Sequence, residues 1–329
     1  MPAADLATAW VQSPLQLLSV VEAHALGLTG RRTQVVLRTG SESLRQTALS
    51  LIRLRMPLGL TLVGEAEAPA PWDQRGDATW VLGDVFSGVV QRALALHRPA
   101  RIVVVDEGQA AAHVLRLLVH ASRPPLGHAL SGWSPARSLL GRVAGHRLRE
   151  AASAGRLEVV TSLAVDDELA SGAAAAGIAL ADHGFRWLRS RPVGDAPEER
   201  TVVLGTALVA RGLVHPEPYL DHVRSLTHDG PVAYHPHRQE SVDVLRALAA
   251  EPGVRVRSGR LPVELSLRGL HAGHRVVGPS SARLTSLAAV LHGRGVCLDQ
   301  VELPEGCWTA SATAAVRRSA GWSPLTASA

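Results

Sequence analysis

Residues 101–120 read RIVVVDEGQAAAHVLRLLVH. Four β-branched residues, 102–105, run without a polar break into Asp106-Glu107-Gly108. A stretch follows in which Val114, Leu117 and Leu118 share one helical face with Arg116 to one side. A continuously apolar strand that turns at a glycine into a helix is the repeating unit of a parallel sheet buried on both faces.

The same unit recurs in both directions. Upstream, strands are expected at 7–12 (ATAWVQ), 34–39 (QVVLRT), 60–64 (LTLVG) and 79–83 (TWVLG), and downstream at 157–162 (LEVVTS). A second series follows at 201–205 (TVVLG), 231–235 (PVAYH), 254–257 (VRVR), 275–278 (RVVG) and 295–299 (GVCLD). Leu284, Leu287 and Leu291 set a helix over 282–292 (ARLTSLAAVLH). Strands alternating with helical segments argue for an α/β chain. The stretch 189–200, RSRPVGDAPEER, is polar and carries Pro192, Gly194 and Pro197. It reads as a linker between two doubly wound halves, 1–190 and 191–329. The Ala/Ser-rich tail from about 309 is expected to pack back as a last helix or to fray.

Composition agrees. The 329 residues suit two domains of ordinary size, and 46% apolar residues exclude a disordered chain. Aromatics make up only 3%, so the core must be built from Leu, Val and Ala. The formal net charge is +5 and every basic residue is arginine, with no lysine. The arginines are scattered, and no basic run alternates with aromatics as a strand-stacking groove requires, so no nucleic-acid partner is expected. The charge suits an anionic small substrate or an anionic membrane surface. Cys297 and Cys307 lack metal-finger spacing and read as reduced thiols. No signal core opens the chain and no apolar run has bilayer-crossing length. A cytoplasmic location is expected, peripheral to the membrane's inner face if the acceptor is lipid-linked.

In open parallel sheets ligands bind beyond the carboxyl ends of the strands. Four segments there carry chemistry. Asp106-Glu107-Gly108 places two carboxylates at a strand end with a glycine that admits a substrate; either a general base or a helix N-cap fits. His235-Pro236 ends a strand within Tyr-His-Pro-His-Arg (234–238), where a histidine contacts a phosphate or a base, or only makes a turn. No neighbouring cluster completes a metal site around the His-x-His pair, so no metal is expected. Gly278-Pro279-Ser280-Ser281 precedes a helix, offering hydroxyls and free N–H groups to an anion, or simple capping. Ser13-Pro14-Leu15-Gln16 has the same strand–turn–helix form.

Taken in order, these segments resemble the bacterial sialyltransferases. That family carries an acidic-acidic-Gly motif in its N-terminal domain, matched by Asp106-Glu107-Gly108. Its C-terminal domain carries His-Pro and Ser-Ser motifs, matched by His235-Pro236 and Ser280-Ser281. Ser-Pro-x-Gln-Leu-Leu at 13–18 resembles the start of the bacterial polysialyltransferases in particular. The resemblance spans residue 10 to about 290. The acidic motif departs from the commoner Asp-Asp.

The resemblance implies a GT-B fold, two Rossmann-like domains with parallel sheets facing a central cleft. It implies an inverting, metal-independent transfer of sialic acid, or a related nonulosonic acid or Kdo, from its CMP-activated form to a glycan or lipid-linked hydroxyl. Apart from this CMP-sugar donor no cofactor is implied. Carried over by position, Asp106 is the base and Glu107 its neighbour, with Gly108, Ser13 and Gln16 on the acceptor side. His235 with Pro236 meets the CMP phosphate, Ser280 and Ser281 hold its oxygens, and Glu264 holds the ribose. Gly205 and Thr206 line the phosphate side. The competing readings are a UDP-sugar-dependent glycosyltransferase or epimerase, and a sugar-nucleotide-binding protein without catalysis.

Overall fold

A computed structural model of the chain describes residues 6–38, 40–68, 78–105, 110–127, 134–279 and 282–319. It divides into two compact units, the first through Arg191 and the second from Pro192. Each is a Rossmann-like α/β unit around one wholly parallel sheet.

In the first unit the strands are β1 (Leu6–Val11), β2 (Arg32–Leu37), β3 (Leu60–Gly64), β4 (Thr79–Leu82), β5 (Arg101–Val105), β6 (Leu157–Thr161) and β7 (Ile178–Asp182). The helices are α1 (Pro14–Ala25), α2 (Glu42–Arg53), α3 (Gly88–Leu96), α4 (Ala110–Val119), α5 (Pro135–Ser153), α6 (Asp167–Ala175) and α7 (Arg186–Arg189). The sheet order is β3-β2-β1-β4-β5-β6-β7. The chain therefore winds outward from β1 in one direction and from β4 in the other, and a crevice opens where their carboxyl ends diverge. Ser13, Ser41, Ser134 and Asp166 each accept a backbone N–H from the first turn of the helix they open. Such caps satisfy donors that a helix start leaves orphaned. The core is aliphatic apart from a few rings, among them Trp10 and Trp80, which pack edge to face at 5.3 Å.

The second unit holds β8 (Thr201–Leu204), β9 (Val232–His235), β10 (Val254–Val256), β11 (Arg275–Gly278) and β12 (Cys297–Gln300). Its helices are α8 (Pro216–Ser225), α9 (Val242–Ala250), α10 (Val263–Ser266), α11 (Ala282–Leu291) and α12 (Ala314–Ser319). The order β10-β9-β8-β11-β12 repeats the winding of the first unit, with its own divergence between β8 and β11. Successive residues of β8 serve opposite faces. Val203 joins the cluster with Tyr219, Leu220 and Leu248, while Val202 and Leu204 join Val263, Leu287 and Leu291. Residues 307–309 pair with 212–215 of the same unit: Cys307 accepts from His215, and Thr309 donates to Leu213 at 3.1 Å.

All eleven expected strands are present, and among the described residues the sheet of the first unit has one more. Strand β7, Ile-Ala-Leu-Ala-Asp, continues the alanine run of α6 and carries little β-propensity. It forms because the free edge of β6 supplies backbone partners along its whole length. Gly177 separates α6 from β7 at φ +78°, a left-handed conformation open to glycine. A Cβ there would stand 2.4 Å from the Ala152 carbonyl oxygen.

One buried carboxylate closes the first unit. Glu22 of α1 is fully buried and accepts the N–H groups of Trp187 (2.9 Å) and Leu188 (2.8 Å), which open α7. Burial pushes its carboxyl up to about 7, against the pull of those two N–H groups and of Arg186 and Arg191. The folded-state value lies above the unfolded one, so the folded chain binds the proton more tightly. Stability from this group is full below about 4.5 and is lost as pH rises towards 7. The span amounts to roughly 3 kcal/mol at about 1.4 kcal/mol per unit. Glu22→Gln does not titrate. Urea unfolding of wild type and variant at a series of pH values is expected to show the variant gaining on wild type between pH 4.5 and 7. A difference independent of pH would contradict the assignment.

Candidate functional site

Of the residues singled out in the second unit, Gly205, Thr206, His235 and Pro236 come together at the carboxyl ends of β8 and β9. Proline ends β9 by removing a ladder donor. The His235 carbonyl then takes the Gly205 N–H at 2.8 Å, which lays the turn after β8 against the turn after β9. Glu240 joins the two turns from beneath. Its carboxylate accepts the His237 N–H (2.8 Å), the Tyr234 hydroxyl (2.5 Å) and the Thr206 N–H. Tyr219 Oη lies 2.7 Å from Tyr234 Oη and extends the chain into the core. Gly205 has to be glycine: a Cβ would stand 2.2 Å from Glu240 Oε2 and 2.7 Å from Tyr234 Oη.

Arg283, in the first turn of α11, ties the same two turns from the other side. Its guanidinium donates to the carbonyls of Gly205 (3.0 Å) and Pro236 (3.4 Å). Burial lowers its pKa, and the carboxylates of Glu264 and Glu240 oppose that shift. Glu240 itself is pushed above the usual carboxylate range by burial, against the hydrogen bonds it accepts. A buried cation held between carboxylates and carbonyls keeps its place only while its partners do.

His235 is buried at 7% exposure. Burial, with Arg283 and Arg257 close by, pulls its imidazole down to about 4, against Glu199. At neutral pH it is an uncharged ring with one N–H to donate. His237 is likewise held at about 4 by burial and by Arg283, Arg238 and Arg211. Thr206 Oγ1 accepts from Leu208 N at 3.3 Å. Two turns, a neutral histidine, an anchored arginine and the start of α11 thus meet at the divergence of the sheet. That is the composition of an anion site.

Glu264 stands apart from the surface. It lies in the first turn of α10 at 1% exposure, and its carboxylate accepts from the Ser286 hydroxyl on α11. Burial raises its pKa, while Ser286 and Arg283 lower it. In this state it holds α10 to α11 beneath the site. Ser280 and Ser281, between β11 and α11, lie outside the described residues.

In the first unit, Ser13 caps α1, accepting Gln16 N at 3.3 Å. Gln16, at 1% exposure, accepts the Gln12 N–H at 2.7 Å. Its side chain fills the space that a Cβ on Gly83 would need, 2.6 Å away, so it packs where β1 and β4 diverge. Asp106, Glu107 and Gly108, which follow β5, lie outside the described residues. Asp84, just past β4, is a strand-end carboxylate not singled out from sequence; it accepts the Phe86 N–H at 2.8 Å. Asp166 is committed to capping α6, at 2.8 Å from Leu169 N.

Glu240, Tyr219 and Arg283 also went unremarked in the sequence. A signal was present for Tyr219: it and Tyr234, which belongs to the His-Pro segment, are the chain's only two tyrosines. A cavity of about 1070 Å³ lies elsewhere, between α4, α5 and α6, and holds none of the sequence-predicted residues. Among the described residues no group of three or more His, Cys, Asp or Glu is placed to hold a metal.

No family model matches the chain, and no curated protein matches it. Among solved structures it is similar to UDP-glucose: anthocyanidin 3-O-glucosyltransferase in complex with UDP. The identity is 12% and the TM-score 0.44, over 91% of this chain and 81% of that one. At that distance the likeness carries no argument about what this chain binds.

The packing of Gly205 on Glu240 is open to a double-mutant cycle. Gly205→Ala is expected to cost about 1–3 kcal/mol by overpacking. The cost should shrink by about 0.5 kcal/mol or more in a Glu240→Ala background, where the oxygen it strikes is gone. Chemical denaturation of the four proteins measures this. Strict additivity would show that the two residues are not held in contact.

Proposed function

We propose that this chain is an inverting, metal-independent glycosyltransferase of the GT-B kind. Its donor is a CMP-activated sialic acid, related nonulosonic acid or Kdo, and its acceptor a glycan or lipid-linked hydroxyl. The observation that carries the reading is the junction of Gly205-Thr206 with His235-Pro236, tied by Glu240 and Arg283 at the sheet divergence. A nucleotide phosphate seated there meets the His235 N–H and the start of α11 with its preceding Ser280 and Ser281. It needs little reorganisation, because the turns are already locked. Glu264 is proposed for the ribose, a role in which its carboxylate exchanges Ser286 for a sugar hydroxyl.

In the transfer, the acceptor oxygen bonds to the anomeric carbon as the bond from that carbon to the phosphate oxygen breaks. The electron pair leaves with CMP, whose growing negative charge falls on donors already aimed at it. The hydroxyl proton passes to Asp106. Glu107 shapes the turn, and Gly108 allows the acceptor to approach. Ser13 and Gln16 support the acceptor side by fixing the start of α1.

Titration calorimetry with CMP, UMP and UDP tests the donor. CMP is expected to bind tightest, and His235→Ala to weaken it about ten- to a hundredfold through loss of a charge-assisted contact. Preference for UDP would turn the reading to a UDP-sugar enzyme. Binding of no nucleotide would remove it.

Asp106 is assigned to the chemical step, so Asp106→Asn should leave CMP affinity unchanged. Turnover at saturating donor should fall about 10²–10⁴-fold. Glu107→Gln should lose less. A dead Glu107→Gln beside an active Asp106→Asn would move the base by one residue. Full activity in both would place it elsewhere, with Asp84 the next carboxylate to replace.

A further inference from the structure

We infer that the amino-terminal edge of the first sheet, centred on Leu58, docks on an anionic lipid bilayer. This surface lies at the end of the strands opposite to the crevice, and the inference stands apart from the proposed chemistry.

Leu58 is 96% exposed and Ile52 52% exposed. Neither is displayed by a slack loop. The Leu58 carbonyl accepts from the buried His24 Nε2 at 2.9 Å, and His24 Nδ1 is itself engaged by Thr29 and Thr33. The next carbonyl, of Gly59, accepts the Thr33 N–H at 2.8 Å. Gly59 sits at φ +92, pressed so close that a Cβ would stand 2.2 Å from the Arg31 carbonyl oxygen. At the other end of the loop, Arg55 takes a left-handed φ of 57 and donates its N–H to the Ile52 carbonyl at 2.9 Å. Left-handed backbone is uncommon outside glycine and needs support from its surroundings. The loop is thus bonded on both sides while its leucine points away from every apolar partner.

Around it stand Arg31, Arg32, Arg53 and Arg55, all exposed. No carboxylate among the described residues forms an ion pair with any of them. The acidic residue of α2, Glu42, is at the helix's far end and is engaged by Arg45. Exposed Leu6 opens β1 in register with Arg32 and adds a second apolar point on the same edge. Separate apolar side chains projecting through a field of exposed arginines match a headgroup layer. The cations meet lipid phosphates, and the leucine reaches the acyl boundary. A protein partner would call for a contiguous apolar patch with complementary hydrogen bonding, and these apolar points are spaced between charges.

The full chain is to be sedimented with vesicles of mixed phosphatidylglycerol and phosphatidylcholine, and with vesicles of phosphatidylcholine alone. It should bind the mixed vesicles and leave the neutral ones, with binding weakened by salt. Leu58→Asp should reduce binding about tenfold or more, and Arg53→Glu with Arg55→Glu should abolish the preference for anionic lipid. These side chains are exposed, so thermal unfolding and CMP affinity should match wild type, which separates lost docking from lost folding or donor binding. Failure to bind mixed vesicles, equal binding to both, or unchanged binding of the variants would overturn the inference. So would a wild-type dimer that Leu58→Asp dissociates without any vesicle binding, which would make the edge a contact between copies.

Discussion

Every described strand pairs in parallel with its neighbours, so each connection between neighbours must cross over and each sheet must be covered on both faces. That constraint sets the composition, with short Val- and Leu-rich strands and helices opened by Ser or Asp caps. It also sets where chemistry can lie. Helices on both faces leave only the strand ends open, and the reversal of winding separates two neighbouring turns at the carboxyl end. Gln16 with Gly83 in the first unit, and Gly205 in the second, pack at these points. Small residues there are a consequence of winding, because turns from adjacent strands must pass within contact of one another.

Around Gly205 the second unit places charge where an aliphatic core would otherwise close. Glu240 accepts one N–H from each of two turns and the Tyr234 hydroxyl of β9, and Arg283 donates to the carbonyls of the same turns. Burying these groups is costly unless each is fully partnered. The return is a fixed geometry: the turns after β8 and β9 cannot shift independently. His235 inherits that rigidity, and burial among cations keeps it uncharged. Glu22 applies the same device in the first unit, where one buried carboxylate fixes the start of α7.

Much of this could be read in the residues. Strand β5 was legible because 102–105 is continuously β-branched, and α4 because its leucines keep helical spacing. Strand β7 was not, since Ile-Ala-Leu-Ala-Asp has a helix-former's composition and becomes a strand only by pairing with β6. His235-Pro236 was legible as a strand-end motif. Its companions were hidden because they are scattered in sequence: Tyr219 is on α8, Glu240 precedes α9, and Arg283 is on α11. Glu264 was visible as an acidic residue between two motifs. Its burial against Ser286 was not, because that depends on how α10 packs on α11.

What the sequence by itself determined is local and periodic: which segments are strands, where serine and proline start helices, where a polar linker parts two halves. These follow from short-range sterics and from the period of apolar residues, both present in any window of a dozen positions. Only the tertiary structure decided which turns touch, which carboxylates are buried, and that His235 is neutral. It also decided that Leu58 is held exposed among arginines, by bonds to His24 and a close approach to Arg31. Those outcomes depend on contacts between residues far apart in the chain. Their energies arise from desolvation and partner geometry, which a linear pattern does not contain.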